Sequence, residues 1–92
     1  MDDWQSFLAG RPVAVLATVS QDGTPHAVPV EVIVDEGRVY VWCRSSSVKA
    51  RNVARSGRAA LTAYQGGYRF VLVRGPARLM TQTDAGLSLI HI

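Results

Sequence analysis

A chain of 92 residues is enough for one domain with a small core, and 48% hydrophobic against 18% charged residues argues for a folded protein rather than a disordered one. One cysteine excludes an internal disulfide, two histidines provide no metal-finger spacing, and no apolar run approaches the roughly 18 residues of a membrane span. A net charge of +3 is modest for a nucleic-acid binder, and with no basic-then-apolar leader the expectation is a soluble protein of the reducing cytoplasm.

Asp2 or Asp3 can cap a short helix that carries Trp4, Phe7 and Leu8 on one side and stops at Gly10, a helix suited to cover a sheet edge or barrel mouth. Val13 to Ser20 is apolar and β-branched, Gln21-Asp22-Gly23 supplies a turn, and Thr24 to Val34 follows as a second strand. The period of two places Val28, Val30, Val32 and Val34 on one face and Ala27, Pro29, Glu31 and Ile33 on the other. After the turn Asp35-Glu36-Gly37, Arg38 to Cys43 forms a third strand with Val39, Val41 and Cys43 opposed to Tyr40 and Trp42.

Val48 to Ser56 reads as a helix with Ala50, Val53 and Ala54 on its inner stripe and Gly57 as its stop. Arg58 to Tyr64 alternates again, Gln65-Gly66-Gly67 turns, and Tyr68 to Met80 makes a long fifth strand interrupted near Gly75-Pro76, where proline forces a bulge or corner. Such strands, joined by tight turns and one helical crossover, predict a mainly β, antiparallel barrel or curled sheet. Thr83 to Gly86 resembles a helix start without a body. Leu87-Ser88-Leu89-Ile90-His91-Ile92 resembles the translated end of a transposon adapter used in library sequencing. The expected organisation is therefore one barrel domain over residues 1–86, incomplete at its C-terminus, with 87–92 a non-native tail in which His91 carries no functional weight.

The stretch Arg44-Ser45-Ser46-Ser47-Val48-Lys49-Ala50-Arg51-Asn52 carries the chemistry. Hydroxyl side chains can cap the helix, whose first amides lack intrahelical partners and whose dipole leaves partial positive charge there. Lys49 adds a full charge in the first turn, where a phosphate binds readily. Arg44, Lys49, Arg51, Arg55 and Arg58 make up half of the ten basic residues, and no acidic residue falls among them. A solvated basic helix face explains charge alone; the serine triplet at the helix start favours an anion cradle. No Ser-His-Asp set, carboxylate pair or metal cluster is legible, so neither a catalytic side chain nor a metal ligand is assigned. His26 is read as a surface histidine near a turn and Cys43 as a small buried hydrophobe.

Taken in order, Leu16-Ala17-Thr18-Val19-Ser20, Asp22-Gly23-Thr24-Pro25-His26, Val28-Pro29-Val30, Ser47-Val48-Lys49-Ala50-Arg51-Asn52, Arg58-Ala59-Ala60-Leu61 and Val73-Arg74-Gly75 resemble the pyridoxamine 5′-phosphate oxidase-like flavin and deazaflavin family. The resemblance covers about positions 11 to 80 and is strongest to the branch that uses coenzyme F420, with FMN as the alternative. It implies an antiparallel split β-barrel of the Greek-key, FMN-binding type, with a short N-terminal helix and one crossover helix. It implies an oxidoreductase that transfers hydride to or from a small organic substrate, and a homodimer with shared cofactor sites. By resemblance Ser46, Ser47 and Lys49 bind the cofactor's phosphate and Asn52 steadies the loop or a tail oxygen. Val28, Pro29 and Val30, with the strand end Trp42, Cys43 and Arg44, lie along the ring, largely through backbone groups. Glu31 departs from the aromatic or apolar residue many relatives carry there. Two other readings stay open: a non-catalytic barrel that binds or carries F420 or FMN, and a barrel that stacks single-stranded nucleic acid on Tyr40, Trp42, Tyr64, Tyr68 and Phe70.

Overall fold

The computed structural model describes residues 3–10, 13–65, 69–82 and 86–92. Helix α1 (Asp3–Ala9) sends Leu8 into the core, and the Gln5 amide donates to the Gly37 carbonyl at 3.0 Å, which pins the helix to a strand turn. An antiparallel meander follows: β1 (Val13–Val19), β2 (Pro25–Asp35) and β3 (Arg38–Arg44). The expected alternation holds on β2 and β3. Val30, Val39, Val41 and Cys43 are buried, and Val28, Val32 and Val34 are half-buried against them.

Two tight turns fix this register. Between β1 and β2, Ser20 donates to Thr24 at 2.9 Å, and the Asp22 carboxylate accepts from the Thr24 amide at 3.0 Å, which holds its pKa below the usual carboxylate range. Between β2 and β3 both Glu36 and Gly37 have positive φ, 51° and 75°, the conformation that matches the right-handed twist of a two-residue hairpin. Glycine adopts it freely, whereas Glu36 is held there against the crowding of its own Cβ. Glu36→Asn is therefore expected to raise unfolding free energy by up to about 1 kcal/mol, measured by urea titration.

Helix α2 (Val48–Ser56) is capped by Ser47, whose Oγ accepts from the Ala50 amide at 3.2 Å, and ends at Gly57, whose amide donates to the Val53 carbonyl at 2.8 Å. Its buried face is Ala50, Asn52 and Val53. Ala54, expected on the inner stripe, is exposed, because the helix packs chiefly on β1, which Asn52 faces. After α2 come β4 (Arg58–Gln65), β5 (Arg69–Pro76), β6 (Arg78–Gln82) and β7 (Leu87–His91).

All seven strands among the described residues pair antiparallel in the order β5-β4-β1-β2-β3-β7-β6, where five strands were expected. One addition arises because the long fifth strand is two strands meeting at a corner. β5 and β6 stand at opposite ends of the order, yet only Ala77 lies between them. Consecutive Cα atoms are about 3.8 Å apart, so the two edges meet there and the sheet must curl into a barrel-like form. Gly75, at φ 148°, makes the bend, and the Ala77 amide donates to the Gly57 carbonyl at 2.8 Å, tying the corner to the end of α2. The other addition is β7, built from the segment read as a tail. Its period of two buries Ser88 and Ile90, and it pairs with β3 on one side and β6 on the other. The turn expected at Gly66-Gly67 and most of the helix start at Thr83 to Gly86 lie outside the described residues. The core is closed by Leu8, Leu16, Val39, Val41, Val53, Leu61 and Ile90.

Candidate functional site

The pairing of β2 is divided. Residues Pro25 to Glu31 pair with β1, while β3 pairs only with Val32 to Asp35. Beyond Val32 and Val41 the two strands part, leaving one backbone edge of β2 at Val28-Pro29-Val30 without a strand partner among the described residues. On the other side of this split β3 runs through Trp42, Cys43 and Arg44, which pair with Leu89, Ser88 and Leu87 of β7 on their far edge. The last turn before α2 begins at the end of β3, where the Ser47 amide donates to the Arg44 carbonyl at 3.0 Å.

The expected site residues are thereby brought around one opening, but not all by their side chains. Val30 and Cys43 are buried and Val28 is half-buried against the core, and their backbone groups turn to β1 and β7, since the Val39 carbonyl accepts from Ile92 on β3's far edge and residues two apart share an edge. The backbone groups on the open β2 edge are those of Ala27, Pro29 and Glu31. Pro29, Trp42, Arg44 and Ser46 are exposed, with Trp42 at 44%. Glu31 is exposed too, at the point where the strands part. The Cys43 thiol donates to the Ser88 carbonyl at 3.6 Å; burial pushes its pKa up, while the Ser47 hydrogen bond and the nearby Lys49 ammonium pull less strongly down. A buried, protonated thiol is a packing group.

At the start of α2, Ser47 holds one amide, and the amides of Val48 and Lys49 have no acceptor inside the helix. Lys49 is half-buried and Ser46 exposed beside them. This donor set suits a phosphate: free N–H groups, two hydroxyls, a full positive charge and no carboxylate between positions 44 and 58. Asn52 points elsewhere. It is buried, and its amide donates to the Thr18 hydroxyl at 3.0 Å and the Ser20 hydroxyl at 3.4 Å, fastening α2 to β1. Ser45 makes a similar tie, its hydroxyl 2.6 Å from that of Ser88. His26 is half-buried, with Nδ1 enclosed and without a partner among the described residues. Thr18 and Ser20, which hold Asn52, take on that role only through the register, since hydroxyls on an apolar strand gain it once the strand lies under α2.

The pyridoxamine 5′-phosphate oxidase family model matches residues 1–89. The chain belongs to that family. Proteins similar to it include an F420H2-dependent biliverdin reductase of Mycobacterium tuberculosis, 35% identical over 86 residues. That alignment covers 91% of this chain and 62% of the relative, so the chain spans under two thirds of the curated relative it matches. Among solved structures, a conserved hypothetical protein of Mycobacterium tuberculosis superposes with a TM-score of 0.88 at 17% identity, covering 100% of this chain and 79% of that one. A protein described as an F420 reductase superposes with a TM-score of 0.81 at 21% identity, covering 99% and 92%. The curled antiparallel sheet is thus the fold it shares with these structures. No helix among the described residues is long and apolar enough to cross a membrane.

Proposed function

We propose that this chain is the barrel portion of an F420-dependent oxidoreductase, with FMN as the alternative cofactor, that moves hydride to or from a small organic molecule. The observation that carries the reading is the split between β2 and β3 opening directly onto the capped start of α2. A planar ring can lie along the unpaired edge of β2, and a phosphate can sit on Ser46, Ser47, Lys49 and the open amides. The cofactor supplies the hydride chemistry when bound. The chain's own residues place and shield it: the open edge of β2 offers the Pro29 carbonyl flanked by the backbone groups of Ala27 and Glu31, Trp42 and Pro29 cover apolar surface, and Lys49 balances the phosphate charge. A reducing cytoplasm, where the lone thiol Cys43 stays free, suits this role.

Titrating the complete protein with F420 and, separately, FMN tests the reading through the cofactor absorbance bands. A saturable spectral shift with one of them is expected; no shift with either sinks it. Binding without reduction of any offered acceptor, the biliverdin of the relative included, selects the non-catalytic carrier.

We also propose that two copies pair through the turn end of the β4–β5 hairpin, the end away from Arg58 and Pro76. Tyr64 and Phe70 are direct cross-strand partners, 72% and 70% exposed, with Leu72 beside them at 53%. Exposed aromatic clusters of this kind mark interaction surfaces. The variant Tyr64→Glu/Phe70→Glu is expected to sediment as a monomer where the parent sediments as a dimer, and to lose cofactor affinity if the site is shared.

A further inference from the structure

At the far end of α2 from the phosphate cradle, about 13 Å along the helix, the outer face of β1, β4 and β5 holds a cleft of about 670 Å³. Its floor is apolar and includes the small residues Ala17 and Ala60, with Val19 at the side, and Arg55, Arg58 and Arg74 border it. Ala60 pairs directly with Arg74, and Arg58 lies two residues back on the same face of β4. The two arginines are therefore diagonal neighbours on adjacent strands, their Cα atoms about 7 Å apart. Like charges so placed repel, yet no carboxylate meets either one among the described residues. Arg55 is anchored on the rim, its Nη2 donating to the Val19 carbonyl.

Three guanidinium groups around a concave apolar floor concentrate anions, and the planar fork of arginine matches a carboxylate with two parallel hydrogen bonds. An apolar floor adds what inorganic ions cannot use, contact with a flat organic body. We propose that this cleft is a second binding site, for an organic dicarboxylate whose acidic groups engage Arg58 and Arg74 and whose apolar body lies over Ala17 and Ala60. Pro25 lines the cleft and Pro29 flanks the split, on the same face of β2. Four residue steps along the strand separate them, about 13 Å, so an elongated acid held in the cleft extends toward the cofactor end of the sheet. As a subsite for an acidic substrate the cleft rests on the oxidoreductase reading; as an anion site it stands without it.

The test titrates the chain, with no cofactor present, with a naphthalene dicarboxylate and with its dimethyl ester, followed by ligand fluorescence. The diacid is expected to bind, with affinity falling as salt rises, and the ester to bind at least about tenfold more weakly. Arg58→Ala/Arg74→Ala is expected to weaken diacid binding by about tenfold or more, while Lys49→Ala leaves it unchanged. Both arginines are exposed, and thermal melting by circular dichroism checks that the double variant folds. No binding of the diacid, equal binding of the ester, equal binding by the folded double variant, or a loss caused by Lys49→Ala overturns the proposal. Should the double variant fail to fold, Arg58→Gln and Arg74→Gln singly take its place, and unchanged affinity in both overturns it equally. Intact diacid binding in a protein that takes up neither F420 nor FMN removes the oxidoreductase reading and leaves this site standing.

Discussion

Replacing Lys49 by alanine is expected to weaken binding of F420 or FMN by about ten- to a hundredfold, the loss of a charge-assisted hydrogen bond worth roughly 1.5–3 kcal/mol. The ammonium is half-buried beside the capped start of α2, so salt screens it less than an exposed charge. Lys49 has no hydrogen-bond partner among the described residues, and its removal should change folding stability by less than about 0.5 kcal/mol. Lys49→Arg should recover part of the affinity, because charge is kept while the compact ammonium geometry is not. Unchanged affinity for both cofactors in Lys49→Ala places the phosphate elsewhere.

The largest stability effects are expected at Leu16 and Leu61. They face each other across β1 and β4, and both are completely buried. Truncating either to alanine removes transfer free energy and opens a cavity, a cost of about 2–5 kcal/mol. A chain of 92 residues has roughly 5–14 kcal/mol in all at typical values per residue, so one such change takes a large share of the total. Since the two side chains line one space, the double variant should lose less than the sum of the singles. Urea titrations of the four proteins give that difference, and strict additivity would mean the two leucines do not share a cavity.

What the sequence made legible followed from local pattern. The alternation of Val28 to Val34 and Val39 to Cys43 placed inner and outer faces correctly, since the period of two is a property of the backbone itself. The serine-capped start of α2 was legible because Ser47 and the helix it begins are neighbours in the chain. Pairing across long sequence separations was not. The division of β2 between β1 and β3 creates the split, and nothing local in Glu31 or Val32 announces it. The break near Gly75-Pro76 was visible as a break, but its role in joining the two ends of the sheet depends on where β5 and β6 pair. Ala54 looked like a core residue by composition and spacing, yet buried Asn52 takes the inner stripe because its amide finds Thr18 and Ser20. Arg74 and Arg58 likewise become one feature only through the register of β4 and β5.

The corner at Ala77 bears on how the molecule comes apart. The meander of β1, β2 and β3, the hairpin of β4 and β5, and the hairpin of β6 and β7 each form from residues near in sequence. Their docking pairs Leu16 with Leu61 and Val41 with Ile90, contacts between distant parts of the chain, which are slow to assemble. With a single residue linking β5 to β6, movement of one hairpin drags the other. Unzipping at either seam therefore propagates to both, and equilibrium unfolding should follow one transition whether watched by Trp42 fluorescence on the β3 side, with Trp4 replaced by phenylalanine, or by backbone dichroism over the whole sheet.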